Sequence, residues 1–115
     1  PLWIHAASGE FEYAKSLIRE LKRKDPEQPI VVSYFSPSFV KAIETFPGVD
    51  VCFPLPLDLP GPLASLIERL KPKRLLIART DLWPELLIQA RRFQIPVAVF
   101  SYTQKEAKGR GAAQF

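Results

Sequence analysis

Short apolar runs alternate along the chain with longer segments in which apolar residues recur every three or four positions. The runs predict β-strands, because continuous short apolar stretches are typical of strands that are buried on both faces. The predicted strands cover residues 2–6, 30–35, 49–53, 74–78 and 97–100. The segments between them predict four amphipathic helices. Their inner faces comprise Phe11, Ala14, Leu17, Ile18 and Leu21; Phe39, Val40 and Ile43; Leu63, Leu66, Ile67 and Leu70; and Leu86, Leu87, Ala90 and Phe93.

Prolines and glycines predict where these elements end. Asp25-Pro26 stops the first helix, since the residue before proline is pushed out of the helical region, and Pro47-Gly48 and Lys71-Pro72 stop the next two. Residues 54–62 contain four prolines in nine positions and therefore do not form a central strand. We expect a stiff, ordered loop with packed leucines and with Asp58 near the start of the third helix.

Five strands alternating with four helices predict an α/β fold. We expect a three-layer, Rossmann-like domain over residues 1–115, with a parallel five-stranded sheet in the order 3-2-1-4-5. In that order the first and fourth strands are neighbours. Their carboxyl ends carry Ser8-Gly9-Glu10 and Arg79-Thr80-Asp81. Two carboxylates far apart in sequence are therefore predicted to face one crevice, where such sheets bind ligands.

Glu10 is the residue with the strongest chemical interpretation. It falls in the first turn of the first helix, where the positive helix end keeps a carboxylate ionised, and an ionised carboxylate at a ligand site is a candidate general base. Gly9 lets a ligand approach the backbone, and the helix start leaves free N–H groups. The alternative is that Ser8 and Glu10 merely cap the helix, as Thr80-Asp81 is predicted to do ahead of Pro84.

Composition narrows the function classes. The net charge of +4 favours anionic partners, such as phosphates or an acidic membrane surface. One cysteine and one histidine provide no Cys/His zinc site and no internal disulfide, and we interpret Cys52 and His5 as core residues. The Gly-x-Gly-x-x-Gly, phosphate-loop and Gly-x-Ser-x-Gly motifs are all missing from the sequence. No segment has the length of a membrane span.

Three stretches resemble one known family when they are taken together and in order. Trp3-Ile-His-Ala-Ala-Ser-Gly-Glu10, the Leu-Pro-Leu-Asp-Leu-Pro-Gly stretch at 55–61 and Thr80-Asp-Leu-Trp-Pro84 are similar to the amino-terminal domain of 3-deoxy-D-manno-octulosonic acid (Kdo) transferases. The resemblance covers roughly residues 2–101. It implies one half of a two-domain GT-B glycosyltransferase of the bacterial inner membrane, acting at its cytoplasmic face.

The resemblance also implies a reaction and its partners. Such enzymes transfer Kdo from CMP-Kdo to a lipid A precursor during lipopolysaccharide synthesis, with inversion and without a metal, a cofactor or a nucleic acid. The family's catalytic base maps to Glu10, and its second acidic residue maps to Asp81, with Ser8 and Gly9 beside the acceptor. The amino-terminal domain receives the lipid acceptor next to an anionic membrane, whereas the nucleotide sugar is held mainly by a second domain outside this chain.

This sequence departs from the family pattern at several positions. One residue is missing between Ser8 and Gly9, Asp81 replaces a glutamate, Phe39 replaces a turn glycine, and Ser101-Tyr102-Thr103 lacks an arginine. These changes keep two alternatives open, a non-catalytic Rossmann-like binding module and another GT-B enzyme such as an epimerase. The chain has no methionine and begins inside a predicted strand, so we expect it to be part of a longer protein whose fragment alone has no turnover.

Overall fold

A computed structural model describes residues 1–6, 11–56, 58–78 and 84–100. Within these ranges the elements are β1 (Leu2–His5), α1 (Phe11–Lys24), β2 (Ile30–Tyr34), a 3₁₀ turn (Pro37–Phe39) continuing into α2 (Val40–Glu44), β3 (Val51–Pro54), α3 (Pro60–Leu70), β4 (Arg74–Ala78), α4 (Pro84–Arg92) and β5 (Val97–Phe100). The described strands form one parallel sheet in the order β3-β2-β1-β4-β5. The predicted α/β class and strand order are confirmed.

The helices cover the two faces of the sheet, because successive side chains of a strand point to opposite faces. On β1, Ile4 packs with α1 and α2, in a core that includes Ile18 and Ile43. Its neighbour Trp3 packs on the opposite face with α3 and α4, against Leu63 and other residues of those helices. Both β1 side chains are fully buried, as expected for the central strand of a three-layer domain.

Three boundaries differ from the sequence prediction by two or more residues, each for a local reason. Helix α2 ends at Glu44 rather than at Pro47-Gly48, because the chain leaves the helix through tight turns in which Phe46 N–H donates to Ile43 O and Val49 N–H donates to Phe46 O. These turns also delay β3 to Val51. Helix α3 begins earlier than predicted, at Pro60, since proline in a first helical turn forfeits no intrahelical hydrogen bond.

The inner face of α4 also needs a correction. Phe93 was predicted to lie on it, but the helix ends at Arg92 and the Phe93 side chain is 37% exposed. Gln89 is buried instead, and its Nε2 donates to Glu85 Oε2 at 2.7 Å. Hydrophobic periodicity does not detect a polar residue on a buried helix face, which explains why Gln89 was missed.

Candidate functional site

β1 and β4 are neighbouring strands of the sheet. His5, the last residue of β1, lies opposite Ile77 of β4, so the strands that precede residues 7–10 and 79–83 end side by side. This confirms the strand order on which the predicted crevice depends. The candidate site residues Ser8, Gly9, Glu10 and Asp81, like the predicted Thr80-Asp81 cap, lie outside the described residues, so their roles stay predictions.

The residues on both sides of the segment 7–10 are fixed by the core. Before it, Ala6 is fully buried, and its N–H donates to Ser33 O at 3.0 Å. After it, Phe11 is fully buried at the start of α1, where its ring meets Phe46 edge-to-face with centroids 5.6 Å apart. Aromatic pairs of this geometry stabilise beyond their buried area. Glu10 is therefore the immediate neighbour of a residue that the core holds in place.

A buried hydrogen-bond network links β1 and β2 near their carboxyl ends. Ser33 Oγ accepts from Trp3 Nε1 at 2.8 Å and shares a second hydrogen bond of 2.8 Å with His5 Nδ1. All three residues are fully buried. The interpretation of His5 as a core residue is confirmed. Nothing in the sequence indicated Ser33 as its partner, since a serine within an apolar strand does not show which residue it will pair with.

Asp58 makes the contact that the sequence did not predict. It lies just ahead of α3, as expected, and its carboxylate binds the first turn of α4. Oδ1 accepts from Leu86 N–H at 3.0 Å and Oδ2 accepts from Glu85 N–H at 3.3 Å. Pro84 has no N–H, so these are the first two backbone donors of the described helix. Asp58 of the Leu-Pro-Leu-Asp-Leu-Pro-Gly stretch thus contacts the first turn of α4, about 27 positions later in the sequence.

Two of the basic residues form hydrogen bonds at the opposite side of the sheet, near the amino ends of the strands. Lys22 Nζ donates to Gln28 O at 2.7 Å and to Asp50 Oδ2 at 3.0 Å, and Lys73 Nζ donates to Gln28 Oε1 at 2.7 Å. The Ile30 N–H and then the Lys22 ammonium lower the pKa of Asp50 below its usual value. Part of the net positive charge therefore holds strands together rather than facing an anionic partner.

An apolar groove of about 610 Å³ opens on the sheet face that carries Trp3, between the edge strand β3 and helix α3. Phe53, Leu66 and Leu70 line it together with Val51, which is 55% exposed. Arg69 lies at its rim. The core on the Trp3 face of the sheet is therefore open to solvent beside β3.

Cys52 is half-buried against the core on the α1 side, which agrees with its interpretation as a packing residue. Burial, and to a lesser extent the charge of Glu44, raise the pKa of its thiol. In the described ranges, no three His, Cys, Asp or Glu side chains gather as a metal site would require. None of the helices in these ranges combines the length and apolar character needed to span a membrane.

Comparison with known proteins identifies the family. The family model described as 3-deoxy-D-manno-octulosonic-acid transferase (kdotransferase) matches residues 1–114. The chain belongs to the Kdo transferase family. The resemblance of its three motifs to that family is thereby confirmed.

Curated Kdo transferases agree with this assignment. That of Aquifex aeolicus is 39% identical over 89 residues, covering 76% of this chain and 24% of the relative. Those of Haemophilus influenzae and Bordetella pertussis are 34% and 28% identical, covering 85% and 88% of this chain and 23% and 25% of the relatives. The chain spans about a quarter of the length of the curated relatives it matches.

Proposed function

We propose that this chain is the acceptor-side half of a glycosyltransferase that moves Kdo from CMP-Kdo to a lipid A precursor in lipopolysaccharide synthesis. Family membership supports the sugar and the reaction type. The pairing of β1 with β4 supports the assignment to a site, because Glu10 and Asp81 follow neighbouring strands along the chain. In such sheets, ligands bind beyond the carboxyl ends of the strands.

The proposed chemistry is proton removal from a sugar hydroxyl, which is a poor nucleophile until a base takes its proton. Glu10 accepts that proton as the acceptor oxygen forms a bond to the anomeric carbon of Kdo. The bond from that carbon to CMP breaks, and CMP leaves with the electron pair. Attack from the face opposite CMP inverts the anomeric centre, and no metal takes part.

The remaining site residues bind the acceptor in this proposal. Backbone N–H groups at Ser8 and Gly9 and the carboxylate of Asp81 hydrogen-bond its headgroup and orient the attacking hydroxyl, which contributes much of the rate when two substrates are held in line. A second domain, outside residues 1–115, holds most of CMP-Kdo. The full-length protein works at the cytoplasmic face of the bacterial inner membrane, where an anionic surface attracts its net positive charge.

The test compares two neighbouring glutamates in the full-length protein. Glu10→Gln removes the proposed base and is expected to lower kcat by roughly 10²- to 10⁴-fold, the range for loss of a general base. Glu12→Gln is the matched control, because Glu12 is an exposed α1 residue paired with Lys15 at 2.8 Å. Transfer is measured as CMP release together with mass analysis of the lipid product.

Each alternative predicts a different result. A Glu10→Gln rate within a few-fold of the Glu12→Gln rate contradicts the role of Glu10 as base. CMP release without a Kdo-modified lipid indicates another GT-B reaction, and no turnover by the unmodified full-length protein indicates a binding module. We expect transfer to continue unchanged in excess EDTA, and loss of transfer there contradicts metal independence. The chain of 115 residues alone is expected to show no turnover.

A further inference from the structure

We infer that Asp58 is a positioning residue for the transfer reaction, which fixes the start of α4 and, through it, the segment 79–83 that carries Asp81. This inference rests on the proposed function, because it concerns how the acceptor-binding segment is held. Asp58 does not touch the reacting atoms in this scheme. Its two contacts are with backbone N–H groups of Glu85 and Leu86.

The geometry of these contacts restrains the helix in two directions. Both carboxylate oxygens are used, Oδ1 for Leu86 and Oδ2 for Glu85, so the first turn of α4 neither slides nor rotates without losing a hydrogen bond. Hydrogen bonds to an ionised carboxylate are stronger than neutral ones, and the positive end of a helix adds to them. The Leu86 side chain is fully buried, which fixes the same turn from the core side.

The chain is therefore held on both sides of residues 79–83. On one side, Ala78 is fully buried at the end of β4. On the other side, Pro84 begins the turn that Asp58 holds. A shift of about 1 Å at a substrate-positioning group costs on the order of a hundredfold in rate, so a change at Asp58 is expected to reach the acceptor site through this segment.

The same contacts also decide what this helix end binds. A helix amino terminus with free N–H groups is a ready site for anions. Here the N–H groups of Glu85 and Leu86 are bound to a carboxylate of the protein itself. We therefore assign the anionic groups of the acceptor to other donors, and we expect removal of the Asp58 carboxylate to create a new anion site at α4.

The experiment uses Asp58→Ala and Asp58→Asn in the full-length protein, with Asp25→Ala as the control. Asp25 is matched because its Oδ1 also accepts a backbone N–H, from Glu27 at 3.2 Å, in an exposed turn after α1. We expect kcat/KM for the acceptor to fall roughly tenfold to a hundredfold in Asp58→Ala. We expect a smaller fall in Asp58→Asn, which keeps one acceptor oxygen, and no fall in Asp25→Ala. The KM for CMP-Kdo is expected to stay unchanged in all three.

Rescue by formate separates positioning from a merely structural role. Formate supplies a carboxylate to the vacated N–H groups of Asp58→Ala, so it is expected to restore a measurable part of the lost kcat/KM. It is expected to have no effect on Asp58→Asn, whose side chain fills the site, or on Asp25→Ala. A folded Asp58→Ala protein with unchanged kcat/KM for the acceptor overturns the inference. So does one in which the KM values for the acceptor and for CMP-Kdo rise equally and formate restores no activity.

Amide NMR of the same variants tests the inference independently of turnover. In Asp58→Asn we expect the Glu85 and Leu86 amide signals to shift, with further shifts in residues 79–83. Shifts confined to residues 58, 85 and 86 overturn the positioning role, whether or not the protein transfers Kdo. If the spectra change as expected but the unmodified protein transfers no Kdo, the proposed function fails while the link from Asp58 to residues 79–83 stands.

Discussion

Trp3 Nε1 donates a hydrogen bond of 2.8 Å to Ser33 Oγ, across 30 positions of sequence and between the neighbouring strands β1 and β2. The same oxygen lies 2.8 Å from His5 Nδ1. One hydroxyl therefore serves the nitrogen atoms of two buried rings. The strand register requires this meeting, since His5 pairs directly with Ser33.

Ser33→Ala is expected to lower the free energy of unfolding by about 1–3 kcal/mol, because it takes a hydrogen-bond partner from two buried ring nitrogens. Urea titration followed by Trp fluorescence measures the loss. The control is Ser16→Ala, at an exposed position of α1, where alanine favours the helix by a few tenths of a kcal/mol. Equal stabilities for the two variants contradict a stabilising role for the Ser33 hydroxyl.

Gly48→Ala is expected to destabilise the protein by at least about 1 kcal/mol, for two reasons. Gly48 has φ of +105°, which L side chains rarely adopt, and a Cβ there would lie 2.8 Å from Ile18 Cγ2 of α1. Gly61→Ala provides the contrast, since no atom lies within 4 Å of its added Cβ and it sits in α3. Thermal unfolding is expected to show a lower Tm for the first variant and an equal or higher Tm for the second.

Asp50 is expected to contribute to acid unfolding. Its pKa is lowered in the folded protein, first by the Ile30 N–H and then by Lys22, so its stabilisation is present above the unfolded-state pKa of about 4 and is lost as pH falls through the lower folded-state value. Asp50→Asn is expected to flatten the stability curve below about pH 4. Lys22→Met is expected to flatten it less, because the backbone donor remains. An unchanged acid limb in Asp50→Asn contradicts this assignment.

Gln94→Gly is expected to stabilise the protein by about 0.5–1 kcal/mol. Gln94 has φ of +59° at the end of α4, where Ile95 N–H donates to Ala90 O at 2.8 Å and Gln94 N–H donates to Arg91 O at 2.9 Å. This is the Schellman pattern, which favours glycine at the left-handed residue. Arg92→Gly, two positions earlier and still in the helix, is expected to destabilise by a similar amount. Chemical denaturation that ranks the two variants in the opposite order refutes the prediction.

Local pattern was sufficient for most of the fold. The bounds of β4 and β5 agree with the apolar runs residue for residue, because each run is flanked by polar or proline positions that end it. Helix ends set by proline were also predicted, as at Lys71-Pro72, where Lys71 adopts the left-handed conformation. The end of α2 and the early start of α3 were not predicted. The first depends on turn hydrogen bonds and the second on the tolerance of proline in a first helical turn, and neither produces a hydrophobic pattern in the sequence.

For the candidate site, the sequence by itself determined which segments are predicted to carry the chemistry. Glu10 and Asp81 follow apolar runs, and strict alternation of strands and helices, which favours right-handed crossovers and a Rossmann-like order, predicts that those runs are neighbours. Only the tertiary structure decided which distant polar groups meet there. The Asp58 carboxylate bonds to the backbone of α4, and the Ser33 hydroxyl bonds to Trp3 and His5. The packing of the layers sets these distances. Hydrophobic periodicity does not encode a contact between a side chain and a backbone group 28 positions away.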